Sequence, residues 1–167
     1  MNFSSLIVDI LEKKELVDGW TAISLGCGMG FAEVSPKWKH LTGVDIFDYR
    51  DASVDKFIQH DVRKIGGIVP GKSFDLVLCL DIIEHLMREE GLKLIKDAEA
   101  ISKKAVVFYT PSKWDKNIIE DKNSWAYGNP YNYHKSFWTP KDFKNYQIWK
   151  VRHVEEGDVG WLCVRWL

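Results

Sequence analysis

"TAISLGCGMGFAEV", residues 21–34, sets three glycines at alternate positions directly after a short apolar run. Glycine weakens both strands and helices, so three this close together mark backbone that must turn sharply or lie against something. The apolar run reads as a first strand that ends at the glycines. In an open parallel sheet, ligands gather beyond the carboxyl ends of the strands, and the first strand-to-helix turn is the usual place. Without Cβ atoms at Gly26, Gly28 and Gly30, a ligand can lie on the backbone itself. N–H groups at the start of a following helix can then meet an anionic group. The dinucleotide fingerprint G-x-G-x-x-G needs a third glycine where Phe31 stands, so it fails.

Working outward, the sequence alternates strand and helix patterns. Leu6, Ile7, Ile10, Leu11 and Leu16 predict an amphipathic helix from about 4 to 17, ended by Asp18-Gly19. Its acids and lysines distinguish it from a signal peptide. A helix is expected from Phe31 to about Lys39, limited by Pro36. "HLTGVDI" predicts a second strand ending at Asp45, and "VDKFIQHD" a third ending near Asp61. "FDLVLCL", 74–80, is nearly unbroken and apolar, as in a strand covered on both faces. From Asp81, apolar residues at Ile82, Ile83, Leu86, Met87, Leu92, Ile95 and Ala98 have helical spacing. "KKAVVFYT" is a fifth strand closed by Pro111. Thr139-Pro140 reads as a cap and first helical position for "PKDFKNY". "YQIWKVRHV" and "WLCVRWL" predict two closing strands joined by a hairpin turn in "EEGDVG". This order defines a doubly wound α/β chain with parallel strands, one closing strand being a candidate for the antiparallel sense.

Length allows one domain with a real core, residues 1–167. The net charge of −1 gives no reason to expect a polyanionic partner, which argues against a dedicated nucleic-acid binder. No stretch approaches the ~20 apolar residues of a membrane span. Cys27, Cys79 and Cys163 are widely spaced and match no metal-binding pattern. They are expected to be buried and reduced, which fits a cytoplasmic location. No metal ligand set is visible from spacing.

Two acids raise the interest of the glycine turn. Asp45 at the end of the second strand can accept hydrogen bonds from vicinal ribose hydroxyls. Asp61 at the end of the third can accept from the exocyclic amine of adenine. With these in place the chain resembles the class I S-adenosylmethionine-dependent methyltransferases over about residues 20–145. "LGCGMG" looks like their first motif, "GVDI" like the acidic motif after it, and "HDV" like the adenine-side motif. "FDLVLCLDIIEHL" is similar to their fourth strand and following helix, and "AVVFYTPS" to their fifth strand. Ser24 departs from the pattern, since the family usually has an acid two residues before the first glycine. A serine can still hydrogen-bond the glycine loop but brings no charge.

The resemblance implies a Rossmann-like, seven-stranded, mostly parallel sheet with an antiparallel last strand in a three-layer α/β/α arrangement. It implies S-adenosyl-L-methionine as cofactor, with Gly26, Cys27, Gly28 and Gly30 along its methionine and ribose portions. Asp45 would take the ribose hydroxyls and Ile46 the adenine face. Asp61 and the Val62 N–H would meet the adenine edge, and Asp81 with the Leu80 backbone the amino-acid end. His85 and His134 are the candidate bases where an acceptor must lose a proton.

Residues 1–19 form the N-terminal helical segment of this single domain, and 111–140 an aromatic loop on the ligand-binding edge. Trp114, Trp125, Tyr127, Tyr131, Tyr133, Phe137 and Trp138 stand in that loop. They are either a substrate wall or a satellite core. The expected activity is methyl transfer to a small-molecule or glycan-like acceptor. The competing reading is a weak or inactive cofactor-binding scaffold acting through a protein partner. The eight tryptophans leave an interface, including a homodimer, open.

Overall fold

The computed structural model describes residues 19–29, 38–49, 54–124, 126–153 and 157–167. The expected helix at 4–17 and most of the one beginning at Phe31 lie outside the described residues. The described end of the latter, Trp38–Lys39, is not helical.

Seven strands follow in chain order: β1 Thr21–Leu25, β2 His40–Asp45, β3 Lys56–Gln59, β4 Phe74–Leu80, β5 Ser102–Pro111, β6 Gln147–His153 and β7 Gly157–Trp166. They form one sheet in the order β3-β2-β1-β4-β5-β7-β6. The pairs β1–β2, β1–β4, β2–β3 and β4–β5 are parallel. β7 runs antiparallel to both β5 and β6. The strand order reverses at β1 and β4, so their C-terminal ends open a crevice where ligands bind in such sheets.

The unbroken apolar strands are explained by burial on both faces. Ile23, Leu25, Val77, Cys79, Val106 and Phe108 point to one core. Their alternates Ala22, Leu76, Leu78, Leu80, Val107 and Tyr109 point to the other. The three cysteines are free and buried, as the sequence suggested.

The helix after β4 starts later than its apolar spacing predicts. A short 3-10 turn, Ile83–His85, comes first. Leu86 and Met87 are then extended, and α1 runs from Arg88 to Ile101. The Glu90 side chain accepts from the Met87 N–H at 2.9 Å, which fixes the helix start there. Gly91, Leu94, Ala98 and Ile101 form the buried face, so Leu92 and Met87 are exposed instead of packed. The helix expected at "PKDFKNY" is only a 3-10 turn, Pro140–Asp142. Thr139 caps it through Asp142, its N–H and Oγ1 donating to Oδ2 at 2.8 and 3.0 Å. Phe143 then turns into the core against Phe108 and Trp138, and Asn145 takes a left-handed φ of 67°, which ends the helical path.

Gly91 lets α1 approach the buried Trp138 ring. A Cβ there would lie 2.3 Å from Trp138 Cζ2. Alanine is favoured over glycine in a helix by about 0.5–1 kcal/mol, but overpacking a rigid, fully buried ring costs about 1–3 kcal/mol. Gly91→Ala should therefore lower stability by about 1–2 kcal/mol in urea denaturation. An unchanged midpoint would show that the ring yields freely.

Candidate functional site

The glycine turn is tied to the end of β2 by backbone. Gly26 N–H and Cys27 N–H both donate to the Val44 carbonyl, at 2.8 and 3.0 Å. Gly26 has φ 74°, and a Cβ on it would lie 2.6 Å from the Ile82 side chain. Gly28 has φ 52°, and a Cβ there would meet nothing within 4 Å. One glycine is thus required by close packing as well as by its backbone, the other by its backbone alone. Asp45 continues the tie. Its Oδ2 accepts from Gly28 N–H and its Oδ1 from Phe47 N–H, each at 3.0 Å.

A cleft opens over this turn, with about 830 Å³ of free space including its mouth. Of the residues singled out in the sequence, Gly26, Gly28, Asp45, Ile46, Asp61, Val62, Asp81 and His85 line it. Cys27 and Leu80 do not. The Cys27 side chain turns inward onto Gly43, where a Cβ would lie 2.7 Å from Sγ. Burial, with Asp45 nearby, pushes its thiol up to about 12. Leu80 packs in the second core. Gly30 lies outside the described residues. Ser24 is buried, and its Oγ finds no protein partner, so it does not support the glycine loop as its position suggested.

Asp61 is more occupied than sequence reasoning anticipated. It caps the 3-10 turn Val62–Gly67 by accepting from Arg63 N–H at 2.9 Å. The Arg63 guanidinium also grips it, Nε on both oxygens at 2.9 Å and Nη2 on Oδ2 at 2.6 Å. This contact is the main reason its carboxyl titrates below the usual range. Aromatic residues missed by the sequence reading form the other rim. Phe47, two residues past Asp45, meets Tyr131 of the long loop edge-on at 5.6 Å. Two aromatic residues just past a strand-end acid, Phe47 and Tyr49 in "DIFDY", are the available signal.

The far wall is built at the end of β4. Asp81 adopts φ 50°, a left-handed conformation that costs a non-glycine residue about 1–3 kcal/mol. Glu84 is only 3% exposed. Its Oε2 accepts from Thr110 Oγ1 at 3.2 Å, and its Oε1 meets no donor of the chain. Asp81 stands beside it with an exposed side chain. Burial and then the neighbouring Asp81 charge push the Glu84 carboxyl well up, and loss of water on its protein side pushes Asp81 up as well. His85, on the same turn, is driven down to about 4 by burial and then by His134, so its ring is neutral at pH 7.

The long loop returns along this wall. The Glu84 carbonyl accepts from Lys135 and Ser136 N–H at 2.7 and 3.1 Å. Ser136 Oγ donates to the Leu86 carbonyl at 2.8 Å, and Trp138 Nε1 to the Ile83 carbonyl at 3.2 Å. Arg88 lies 4.1 Å from the Trp138 ring centroid and bonds the Phe137 carbonyl and Asp142. The strap brings His134 beside His85, ring centroids 4.9 Å apart, although His134 does not itself line the cleft. The loop thus divides. Trp138 is core, Tyr131 is cleft wall, and Trp114 and Phe137 are exposed and pack on each other.

The chain belongs to the methyltransferase domain family, whose model matches residues 4–147. No curated protein matches it in sequence. Its fold is shared with a SAM-dependent methyltransferase from Archaeoglobus fulgidus, at 15% identity over 98% of this chain and 94% of that one, TM-score 0.67. It is shared with magnesium protoporphyrin IX methyltransferase from Synechocystis, crystallised with SAM, at 16% identity over 97% and 77%, TM-score 0.65. It is also shared with 1,6-didemethyltoxoflavin-N1-methyltransferase from Burkholderia thailandensis, crystallised with its substrate and S-adenosylhomocysteine. That pair has 12% identity over 98% and 77%, TM-score 0.70.

Arg63→Ala should return the Asp61 carboxyl upward towards about 3.9, the value of a free aspartate. The stability that this carboxylate contributes is present above its unfolded pKa and lost as pH falls through its folded one. A carbon-detected NMR titration measures it, and an Asp61 pKa unmoved by the substitution would remove Arg63 as the cause.

Proposed function

We propose that this chain is an S-adenosylmethionine-dependent methyltransferase acting on a small-molecule acceptor. The observation that carries the reading is the Asp45 carboxylate at the lip of the glycine turn. A carboxylate has about four lone-pair sites, and the backbone N–H groups of Gly28 and Phe47 take one on each oxygen. Two remain for the vicinal hydroxyls of a ribose. The bare surface beside Gly28, where a Cβ would meet nothing, leaves room for the ligand to lie on the backbone.

Around that anchor, Gly26, Gly28 and the Cys27 backbone would follow the methionine and ribose portions. Ile46 would cover one adenine face, while Asp61 and the Val62 N–H would meet its edge. Asp61 holds Arg63 at the same time, so its carboxylate is already oriented. Asp81 and the Leu80 backbone would meet the amino-acid end. The bound cofactor supplies a methyl carbon already activated by a positive sulfur. The protein's task is then alignment of the acceptor in a site sheltered from water. Tyr131 and Lys135 on the loop are placed to form the acceptor's side of the cleft.

For an acceptor that must lose a proton, the candidate bases are His85, which lines the cleft, and, where its Nε2 holds no metal, the neighbouring His134. His134 Nδ1 meets the Asp115 carbonyl at 2.7 Å and must donate to it, which leaves Nε2 as the basic nitrogen. His85, at about 4, is too weak a base to act efficiently near neutral pH. The fold of the Archaeoglobus, Synechocystis and Burkholderia enzymes supports the reading. We take residues 1–167 as one such domain, with 111–140 as its substrate loop. No helix among the described residues is long and apolar enough to cross a membrane, and the reduced, buried cysteines fit the cytoplasm.

The chain should bind S-adenosylhomocysteine in calorimetry. Asp45→Ala should weaken that binding by about 1.5 kcal/mol or more, roughly tenfold, as expected for lost hydrogen bonds to a charged group. Equal binding by the variant would remove the ribose assignment. A panel of small-molecule acceptors, read by S-adenosylhomocysteine release, separates an enzyme from a cofactor-binding scaffold. Binding without turnover on any acceptor would favour the scaffold.

A further inference from the structure

Glu84, His85 and His134 bring one carboxylate oxygen and two imidazole nitrogens together, all three ligand atoms within 4.8 Å of one another. We propose that they form a binding site for a first-row divalent transition-metal ion, on the wall of the cleft at the end of β4.

Three independent features point to a cation. Glu84 is buried, with its Oε1 facing no donor and Asp81, another acid, beside it. A buried carboxyl oxygen that meets no donor is costly, and a cation between these groups would offset that cost. His85 Nδ1 is also buried and unpartnered. His134 is presented in the manner of a metal ligand. Its Nδ1–H is fixed on a backbone carbonyl, which orients the ring and leaves Nε2 bare. The strap from Lys135 to Trp138 that holds His134 beside His85 makes no use of these nitrogens.

The donor set selects the ion. Two imidazoles and one carboxylate suit zinc, manganese or iron in the divalent state better than magnesium or calcium, which favour all-oxygen surroundings. Three protein ligands leave coordination positions open. Asp81 and His85 line the cleft, so a small molecule in it can reach the ion. Resting on the methyl-transfer reading, this points to an acceptor that offers an oxygen able to bind a metal. The site itself does not depend on that reading.

Full-length protein freed of metal by chelation is titrated with zinc chloride in calorimetry, and with manganese chloride followed by electron paramagnetic resonance. One saturable site per chain is expected. His134→Ala and Glu84→Gln should each weaken it at least about tenfold, since even residues that merely support metal ligands cost 10–100-fold. His134→Ala removes a loop side chain and decides the matter alone should Glu84→Gln not fold by circular dichroism. Absence of saturable binding, affinity unchanged in His134→Ala, or tighter binding of magnesium than of zinc would each overturn the assignment. S-adenosylhomocysteine is titrated into the same samples. Its failure to bind would count against the methyltransferase reading and leave the metal result standing.

Discussion

The Val44 carbonyl takes two N–H groups from the turn that ends β1, and the Asp45 side chain takes a third together with Phe47. This cluster joins the tips of two adjacent parallel strands. It sets the left-handed path through Gly26 and Gly28 and places Ile82 over Gly26, so it also fixes where the segment after β4 must pass. Every other wall of the cleft is positioned relative to it. The turn after β3 begins at Asp61, two residues beyond the partner of Asp45 in the ladder.

The loop after β5 is held differently. No strand pairing anchors its middle. Its return leg is clamped to the 3-10 turn after β4 by backbone bonds to Glu84, by Ser136 and Trp138, and by Arg88 stacked on Trp138. The clamp works because Gly91 lets the helix come close. A glycine in the first turn of α1 thereby serves the cleft: it seats Trp138, Trp138 seats the strap, and the strap sets His134 against His85. The functional end of the loop is rigid because its neighbour in sequence is core.

What the sequence made legible follows from locality. The strands were readable because burial on both faces leaves continuous apolar runs, and Asp45 was readable because a strand-end acid sits next to the residues that define the strand. The start of α1 was not. The apolar period runs through Leu86 and Met87 without a break, and only the Glu90 side chain, bonding back to Met87, decides that the helix begins afterwards. Glu84 was passed over for a related reason: an acid inside a helical pattern reads as solvent-facing, whereas a 3-10 turn points it beneath the strap. The meeting of His85 with His134 depends on the loop after β5 folding back over the end of β4, and spacing along the chain carries no trace of it; the grip of Arg63 on Asp61 is local, two residues apart in "DVR", and depends on the 3-10 turn that Asp61 caps.

Several unfavourable features of this structure meet at one place. Through β1, β4 and β5 the interior is mostly apolar, with Ser24 Oγ its one buried side-chain polar atom without a partner among the described residues. At the end of β4 the chain puts a non-glycine residue in a left-handed conformation, buries Glu84 beside a second acid, Asp81, and leaves a carboxylate oxygen and an imidazole nitrogen without protein partners. Strain of about 1–3 kcal/mol and unmet polar groups of similar cost each are a large share of the ~5–15 kcal/mol by which domains of this size are stable. A fold that needed only a closed core would relax this corner, because Asp81→Gly and an apolar residue at Glu84 would remove most of the burden. That the corner sits on the cleft wall, opposite the glycine turn and under the strap, is the physical reason to assign it to ligand chemistry instead of to architecture.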